Sequence, residues 1–352
     1  MKIGIFTCRP VNPLHPRLEA FANYFKSKNI QYEFIPPVKH PVFSRINWLS
    51  LFFFDNLSVL RNRKKPSEYD LILVNDLKYL PIARFAKRFS KTVIYDTIDH
   101  NVSLRAYSLG KKIPLPGFMK KGIIKYFTRK ERKLAADFCD TVIVNSEALK
   151  EYFNNRAEIL YYYSPFESLP EKNKISNPPA LIYLGEFSAE KGAGEVLEIR
   201  EKMNIELFIY GTVYSDQFRN KLNHPMIHFT GKIAQEELAL RLSDHLKKYF
   251  LIGFSLIRPA HLSYEIQEAN KDIDYLALGI PIIGNHRLPT GEKINSGCGI
   301  FSDDASGLIK LISDPDFRIQ LSSNCREYYN ARYAKRSFTV TIDNIFSKYL
   351  QL

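Results

Sequence analysis

Short apolar runs recur along the chain, each closed by a polar residue or a glycine, and amphipathic segments lie between them. In the first half, "KIGIF", "YEFIPP", "DLILVND", "KTVIYDTID" and "DTVIVNS" read as strands, while "PRLEAFANYFKSKN" carries its apolar residues at helical spacing. Strands that are apolar throughout, with helices between them, predict a parallel sheet covered on both faces. The periodicity fades over residues 159–180, which are rich in Pro, Ser and charge and read as a linker. It then restarts. "ALIYLGEF", "IELFIYG", "MIHFTG", "YFLIGFSLI", "IPIIG" and "GIF" are strand-like, "KGAGEVLEIREKM" and "QEELALRLSDHL" are helical, and "DPDFRIQLSSNCREYYNARY" and "SFTVTIDNIFSKYL" predict closing helices. The expectation is an α/β protein of two doubly wound βα domains. The first spans 1–165 and the second 166–335, with a last helix over 336–352 packing back on the first. Ligands of such sheets lie beyond the carboxyl ends of the strands, here in a cleft between the domains.

Two segments carry candidate chemistry. In "LIYLGEFSAEKGAGEVL" a strand ends at Gly185, a small-residue loop holds Lys191, and Gly192 opens a helix. Strand, tight turn and helix start is an arrangement that binds phosphate, and Lys191 would add a point charge for a diphosphate. A plain connecting loop with a solvated lysine is the competing account. The nucleotide fingerprints GxGxxG and GxxxxGK[ST] are both missing. In "NKDIDYLALGIPII", Lys271, Asp274 and Tyr275 share one helix face at i, i+3 and i+4. A surface ion pair would explain the spacing. A helix start between two buried strands would instead aim an anion site and a ribose-binding carboxylate at a cleft.

These segments, with "IELFIYG" and "IHFTGKIAQEEL", resemble in order and spacing the donor domain of GT-B glycosyltransferases. Within that class they look like the retaining family 4 and its bacterial surface-polysaccharide members. The family pattern NKxxEYxAxGxPVI is met at Asn270, Lys271, Tyr275, Ala277, Gly279, Pro281 and Ile283. "YDLILVNDLKYLPIARFAKRF", "VIYDTIDH" and "KERKLAADFCDTVIVNSEAL" are similar to the same family's acceptor domain. The resemblance implies that Lys191 contacts the donor diphosphate and that Asp274 holds the ribose. It implies too that Tyr210 and Gly211 end the strand beside the base, and that Asn270, Lys271 and Arg258 lie near phosphates and sugar. Asp99 and His100 match the segment with the family's catalytic histidine or acid. A loop histidine without a catalytic role is the plainer account of His100. The departures are Glu186, where many members have a phosphate-binding arginine, Ile266, where an acid is usual, and Ile98 at the DxH position.

Charge changes the picture of the first half. Residues 1–165 hold 28 Lys and Arg against 14 Asp and Glu, whereas 166–352 hold 22 against 23. The stretches over 42–65 and 117–134 set Trp, Phe and Tyr beside clustered cations, a pattern suited to an anionic membrane surface. Core aromatics beside a solvated basic face are the alternative. Nucleic acid suits the charge, but no recognised binding module is present and it is not expected as a partner. The start lacks the apolar core of a signal peptide and no run is long enough to cross a bilayer. Four scattered cysteines predict neither a disulfide framework nor a zinc site and fit a reduced cytoplasmic setting. The expected activity is sugar transfer from a nucleotide diphosphate sugar to a glycan or lipid-linked acceptor, without cofactor or metal, peripheral to the inner face of the membrane. A sugar-nucleotide epimerase on the same fold, or a non-catalytic sugar-nucleotide-binding module, is the alternative.

Overall fold

The computed structural model describes residues 1–350 except 10, 12–14, 37–62, 64, 76, 113–115, 171, 172, 175, 259 and 260. Most of the aromatic and basic stretch over 42–65 therefore lies outside the described residues. The chain divides into two compact units. One comprises Met1–Leu160, His261–Ser263 and Thr339–Leu352, the other Tyr161–Ala260 and Tyr264–Phe338.

The first unit runs β1 (Lys2–Thr7), α1 (Pro16–Ser27), β2 (Gln31–Ile35), β3 (Leu71–Asn75), α2 (Ile82–Lys87), β4 (Thr92–Asp96), α3 (Asn101–Lys112), α4 (Gly117–Phe138), β5 (Thr141–Val144), α5 (Glu147–Tyr152) and β6 (Ala157–Ile159). Its six strands form one parallel sheet in the order β2-β1-β3-β4-β5-β6. The chain leaves β1 toward one edge and returns on the other side at β3. The order therefore reverses between β1 and β3, and their carboxyl ends are where such a sheet holds ligands.

A buried polar knot closes that end of the sheet. Arg17 and Asp96 are 3% and 0% exposed. The guanidinium meets Asp96 Oδ1 through Nη2 at 2.6 Å and Nε at 3.1 Å, and its Nη1 donates to the Leu160 carbonyl at 2.7 Å. Asn75 donates to the other Asp96 oxygen, and Thr7 donates to Asn75 at 3.1 Å. The pair thus ties α1 to the ends of four strands. Removing one partner would strand the other charge in the interior. Asp96→Ala is expected to lower the stability of this unit by about 3–5 kcal/mol, read as a drop in its denaturant midpoint. An unchanged midpoint would show that the knot adds nothing.

The second unit runs β7 (Pro179–Leu184), α6 (Ala193–Met203), β8 (Glu206–Tyr210), α7 (Asp216–Lys221), β9 (Ile227–Gly231), α8 (Gln235–Lys248), β10 (Phe250–Ser255), α9 (Leu262–Ile266, whose first two residues belong to the first unit), α10 (Asn270–Leu278), β11 (Ile282–Gly284), α11 (Leu288–Lys293), β12 (Gly299–Phe301), α12 (Ala305–Ser313) and α13 (Pro315–Arg332). The sheet is again parallel and six-stranded, ordered β12-β11-β10-β7-β8-β9. Side chains alternate across it. Ala180, Ile182 and Leu184 of β7 enter one apolar cluster, and Leu181 and Tyr183 the other. Both faces of the central strands are covered, which is why those strands lack a polar alternation, while the edge strand β9 is largely exposed. The order reverses between β7 and β10. The last helix, α14 (Lys335–Phe346), starts in the second unit and ends in the first, where Phe346 packs on Phe21 and Phe25 and Asp343 pairs with Lys28 at 2.8 Å.

Candidate functional site in the second unit

The donor-site candidates lie at or after the carboxyl ends of β7, β8 and β10 or on α10. β7 ends at Gly185, with φ of 109°, and β8 ends at Gly211, with φ of 155°. A Cβ on Gly211 would fall 1.6 Å from the Gly185 carbonyl oxygen, so the approach of these two strand ends admits only glycine there. Tyr210 itself is buried, and its hydroxyl lies 2.6 Å from Nε2 of His245. After β7 the chain makes one turn over Ala189–Lys191 and enters α6 through Gly192, in the left-handed region at φ 80°. No side chain caps α6. The loop is cinched from below. The Tyr183 hydroxyl lies 2.7 Å from the Glu186 carbonyl and 2.9 Å from the Lys191 carbonyl, and its one proton serves either. Glu186 is exposed.

Lys191 and Lys271 are each laid over a tyrosine ring. Nζ of Lys191 is 4.7 Å from the Tyr264 centroid, and Nζ of Lys271 is 4.4 Å from that of Tyr183. The two cations sense one another. Burial first, then the charges of Lys191 and Arg287, lower the Lys271 pKa to about 7 against the opposing pull of Asp272. Positive charge gathered at strand ends in this way is under-neutralised, which is what an anion site requires. Two enclosed hydroxyls, Ser188 Oγ in the loop and Ser255 Oγ at the end of β10, have no hydrogen-bond partner among the described residues. Arg258 follows β10 and is engaged by Glu195 of α6, at 2.8 and 2.5 Å. That pair is exposed and contributes little, so an incoming phosphate could displace the carboxylate at small cost.

Lys271 and Asp274 do not pair with each other. Asp274 accepts the Ser164 hydroxyl at 2.7 Å, and burial, with the charge of Asp272 adding, raises its pKa to about 7. Tyr275 turns inward. Its hydroxyl accepts the Leu184 amide at 3.0 Å, so it pins α10 to the end of β7 and leaves the face shared by Lys271 and Asp274. Asn270 opens α10 half-buried, and no side chain caps the helix. The nearby acids have other duties. Asp272 is fully buried, 3.6 Å from Arg287, and accepts the Thr290 hydroxyl. Glu268 is buried against Lys293 and accepts the Tyr333 hydroxyl at 3.2 Å, while Ile266 is buried and apolar. Sequence patterns missed Ser164, Tyr183 and Tyr264, which come from the linker, a core strand and a short helix and share no motif. Among the described residues no three His, Cys, Asp or Glu side chains gather as a metal ion would require.

In the first unit Asp99 and His100 face different surroundings. Asp99 is partly exposed, with Oδ2 3.9 Å from Nη2 of Arg9. His100 is 2% exposed. Its Nδ1 accepts the Ser103 amide at 3.1 Å, a helix-capping bond at the start of α3, and its ring stands edge-on to Tyr152 at 4.3 Å. Burial lowers its pKa to about 4, so the imidazole is neutral at pH 7.

No family model matches the chain, and no curated protein matches it. Solved structures do. Anabaena HepE, in complex with UDP and glucose, superposes with a TM-score of 0.64 over 99% of this chain and 100% of that one, at 15% identity. A trehalose-6-phosphate structure from E. coli, bound with UDP-2-fluoro glucose, gives 0.63 over 100% and 99%, at 10% identity. A Listeria monocytogenes protein described as a UDP-N-acetylglucosamine 2-epimerase gives 0.55 over 100% and 97%, at 12% identity. At these identities the likeness speaks for fold. Two Rossmann-like units, each on a six-stranded parallel sheet, are the GT-B architecture of glycosyltransferases.

Proposed function

We propose that the protein is a glycosyltransferase that moves a sugar from a nucleotide diphosphate sugar to a hydroxyl of a glycan or lipid-linked acceptor. The transfer would proceed with retention, in the synthesis of a bacterial surface polysaccharide. The observation that carries this reading is the pair Lys191 and Lys271, held over tyrosine rings at the carboxyl ends of the second sheet. HepE and the E. coli protein were solved with UDP or UDP-sugars, which supports a nucleotide-sugar donor.

In this mechanism Lys191, with Arg258 once freed from Glu195, binds the diphosphate, and Asp274 accepts hydrogen bonds from the ribose. Asn270 and Lys271 lie near the phosphates and the sugar. The C1–O bond to the diphosphate breaks and its electron pair leaves with the phosphate. The acceptor oxygen bonds to the oxocarbenium-like carbon as its proton passes to the proposed base, the Asp99 carboxylate. Charge grows on the departing phosphate, so cations fixed beside it stabilise the transition state more than the bound donor. The lysines carry that charge in the proposal without a bound metal. Asp99 and His100 are the proposed catalytic pair. Asp99 offers the accessible carboxylate as base. In neutral His100 the capping bond takes the lone pair of Nδ1 and the proton sits on Nε2, so His100 would serve as a hydrogen-bond donor.

Incubation with a sugar nucleotide, with and without a glycan acceptor, tests the proposal. Acceptor-dependent release of nucleoside diphosphate supports it. Isomerisation of the donor alone would favour an epimerase, the reading to which the Listeria likeness points. Binding across many acceptors without turnover would leave only a sugar-nucleotide-binding module.

A membrane-lying acceptor would account for α4. Only Glu131 and Ala135 of this helix are buried. Phe118, Met119 and Tyr126 are 77%, 44% and 62% exposed. Lys121, Lys125, Arg129 and Lys133 are exposed too and recur every four residues, so a basic stripe runs beside the apolar one. No helix of the described residues is long and apolar enough to cross a membrane. We place α4 on the anionic inner leaflet, rings at the acyl boundary and cations among headgroups. Replacing Lys121 and Lys125 by Glu is expected to weaken binding to anionic vesicles by tenfold or more, at about 1 kcal/mol per surface cation. Equal binding to neutral and anionic vesicles would rule this placement out.

A further inference from the structure

The second unit has a cavity of about 550 Å³ whose lining includes none of the residues proposed for the donor site. Its wall is built from the second half of α13, the first turn of α14 and the linker. Three cations line it, Arg326, Lys335 and Arg336, against one carboxylate, Glu167. That carboxylate is committed. Its Oε2 accepts the Tyr329 hydroxyl at 2.5 Å and the Lys335 backbone amide at 3.0 Å, so it caps the start of α14. Arg326 is pre-set as well, with Nη1 donating to Ser322 Oγ at 2.8 Å. Asn330 adds an exposed amide at the rim.

Three cations against one engaged acid suit a dianion better than a single carboxylate. Guanidinium forks match the oxygens of a phosphoryl group. The cavity is too large for a lone ion and falls within the roughly 300–1,000 Å³ typical of small-molecule pockets. We propose that this cavity binds a phosphorylated small molecule of sugar-phosphate size, with Arg326, Lys335 and Arg336 on the phosphoryl oxygens and Asn330 toward the organic part. Neither Lys191 nor Lys271 lines the cavity, and the proposal stands whether or not the protein transfers sugar.

Titration calorimetry with ribose 5-phosphate, and with ribose as the uncharged control, tests it on the intact chain. Binding is expected for the phosphate ester, none for ribose, with affinity falling as salt rises. The double variant K335Q/R336Q should weaken binding at least tenfold. Both side chains are exposed, so the variant should melt as the wild type does. Lys191→Gln should bind ribose 5-phosphate as tightly as the wild type, which separates this cavity from the proposed donor site. The proposal is overturned if the wild type does not bind, if K335Q/R336Q binds equally well, or if Lys191→Gln alone abolishes binding.

Discussion

Under the proposed function, Lys191→Ala is expected to lower the rate of sugar transfer by 10²–10³-fold, a loss of roughly 3–4 kcal/mol of transition-state stabilisation, with little change in melting temperature. The size follows from where the charge sits. Lys191 lies on the one-turn loop after β7, its Nζ over Tyr264, where negative charge would grow on the leaving phosphate. The side chain is half-buried and fills no core cluster, so truncation leaves no cavity to destabilise the fold. A second readout does not depend on turnover. Lys191 is one of the charges that hold the Lys271 pKa down. In Lys191→Ala the Lys271 ammonium should titrate higher, which NMR of the labelled side chain would detect. Wild-type turnover together with an unmoved Lys271 would take Lys191 out of the site.

Nucleotide binding is expected to be strongest near pH 7 and to weaken on both sides. Lys271 is held down to about 7 by burial and by neighbouring cations, and Asp274 is pushed up to about 7 by burial and by Asp272. An anionic diphosphate favours the protonated lysine, a form that is present below pH 7 and lost above it. Ribose hydroxyls donate best to an ionised carboxylate, a form present above pH 7 and lost below it. The two requirements overlap only around neutrality. Away from it affinity should fall by a factor approaching tenfold per pH unit, because each unit removes about 90% of the required form. Calorimetric titration with UDP across the neutral range reads the profile. Lys271→Met should erase the alkaline limb and Asp274→Asn the acid limb. A flat wild-type profile would mean that neither group touches the nucleotide.

The hydrophobic pattern located nearly every strand of both sheets, because the central strands are covered on both faces and are apolar along their length, and even the more exposed β2 and β9 keep apolar residues. It missed β6, a three-residue strand whose "AEI" offers no pattern to read. The loop over Gly185–Gly192 was legible for a different reason. Gly185 and Gly192 adopt positive φ, Gly211 admits no side chain, and a lysine beside them leaves few structural duties. The duties of the acids were not legible. Glu268 and Asp272 look as available as Asp274 along the chain, yet the first is spent on Lys293 and the second lies beside Arg287 and Thr290.

From its sequence alone this protein was bound to form two parallel βα sheets and to place a small-residue loop and a lysine after the first strand of the second. Periodicity, turn chemistry and glycine stereochemistry act over a few residues, and a few residues suffice to show them. Tertiary structure decided the rest. It laid Lys271 on Tyr183 although i, i+3 spacing allowed a pair with Asp274, gave Asp274 the hydroxyl of Ser164, 110 positions away, and turned Tyr275 inward to hold Leu184. Contacts between residues far apart in the chain depend on how sheet and helices pack, and no local pattern records them.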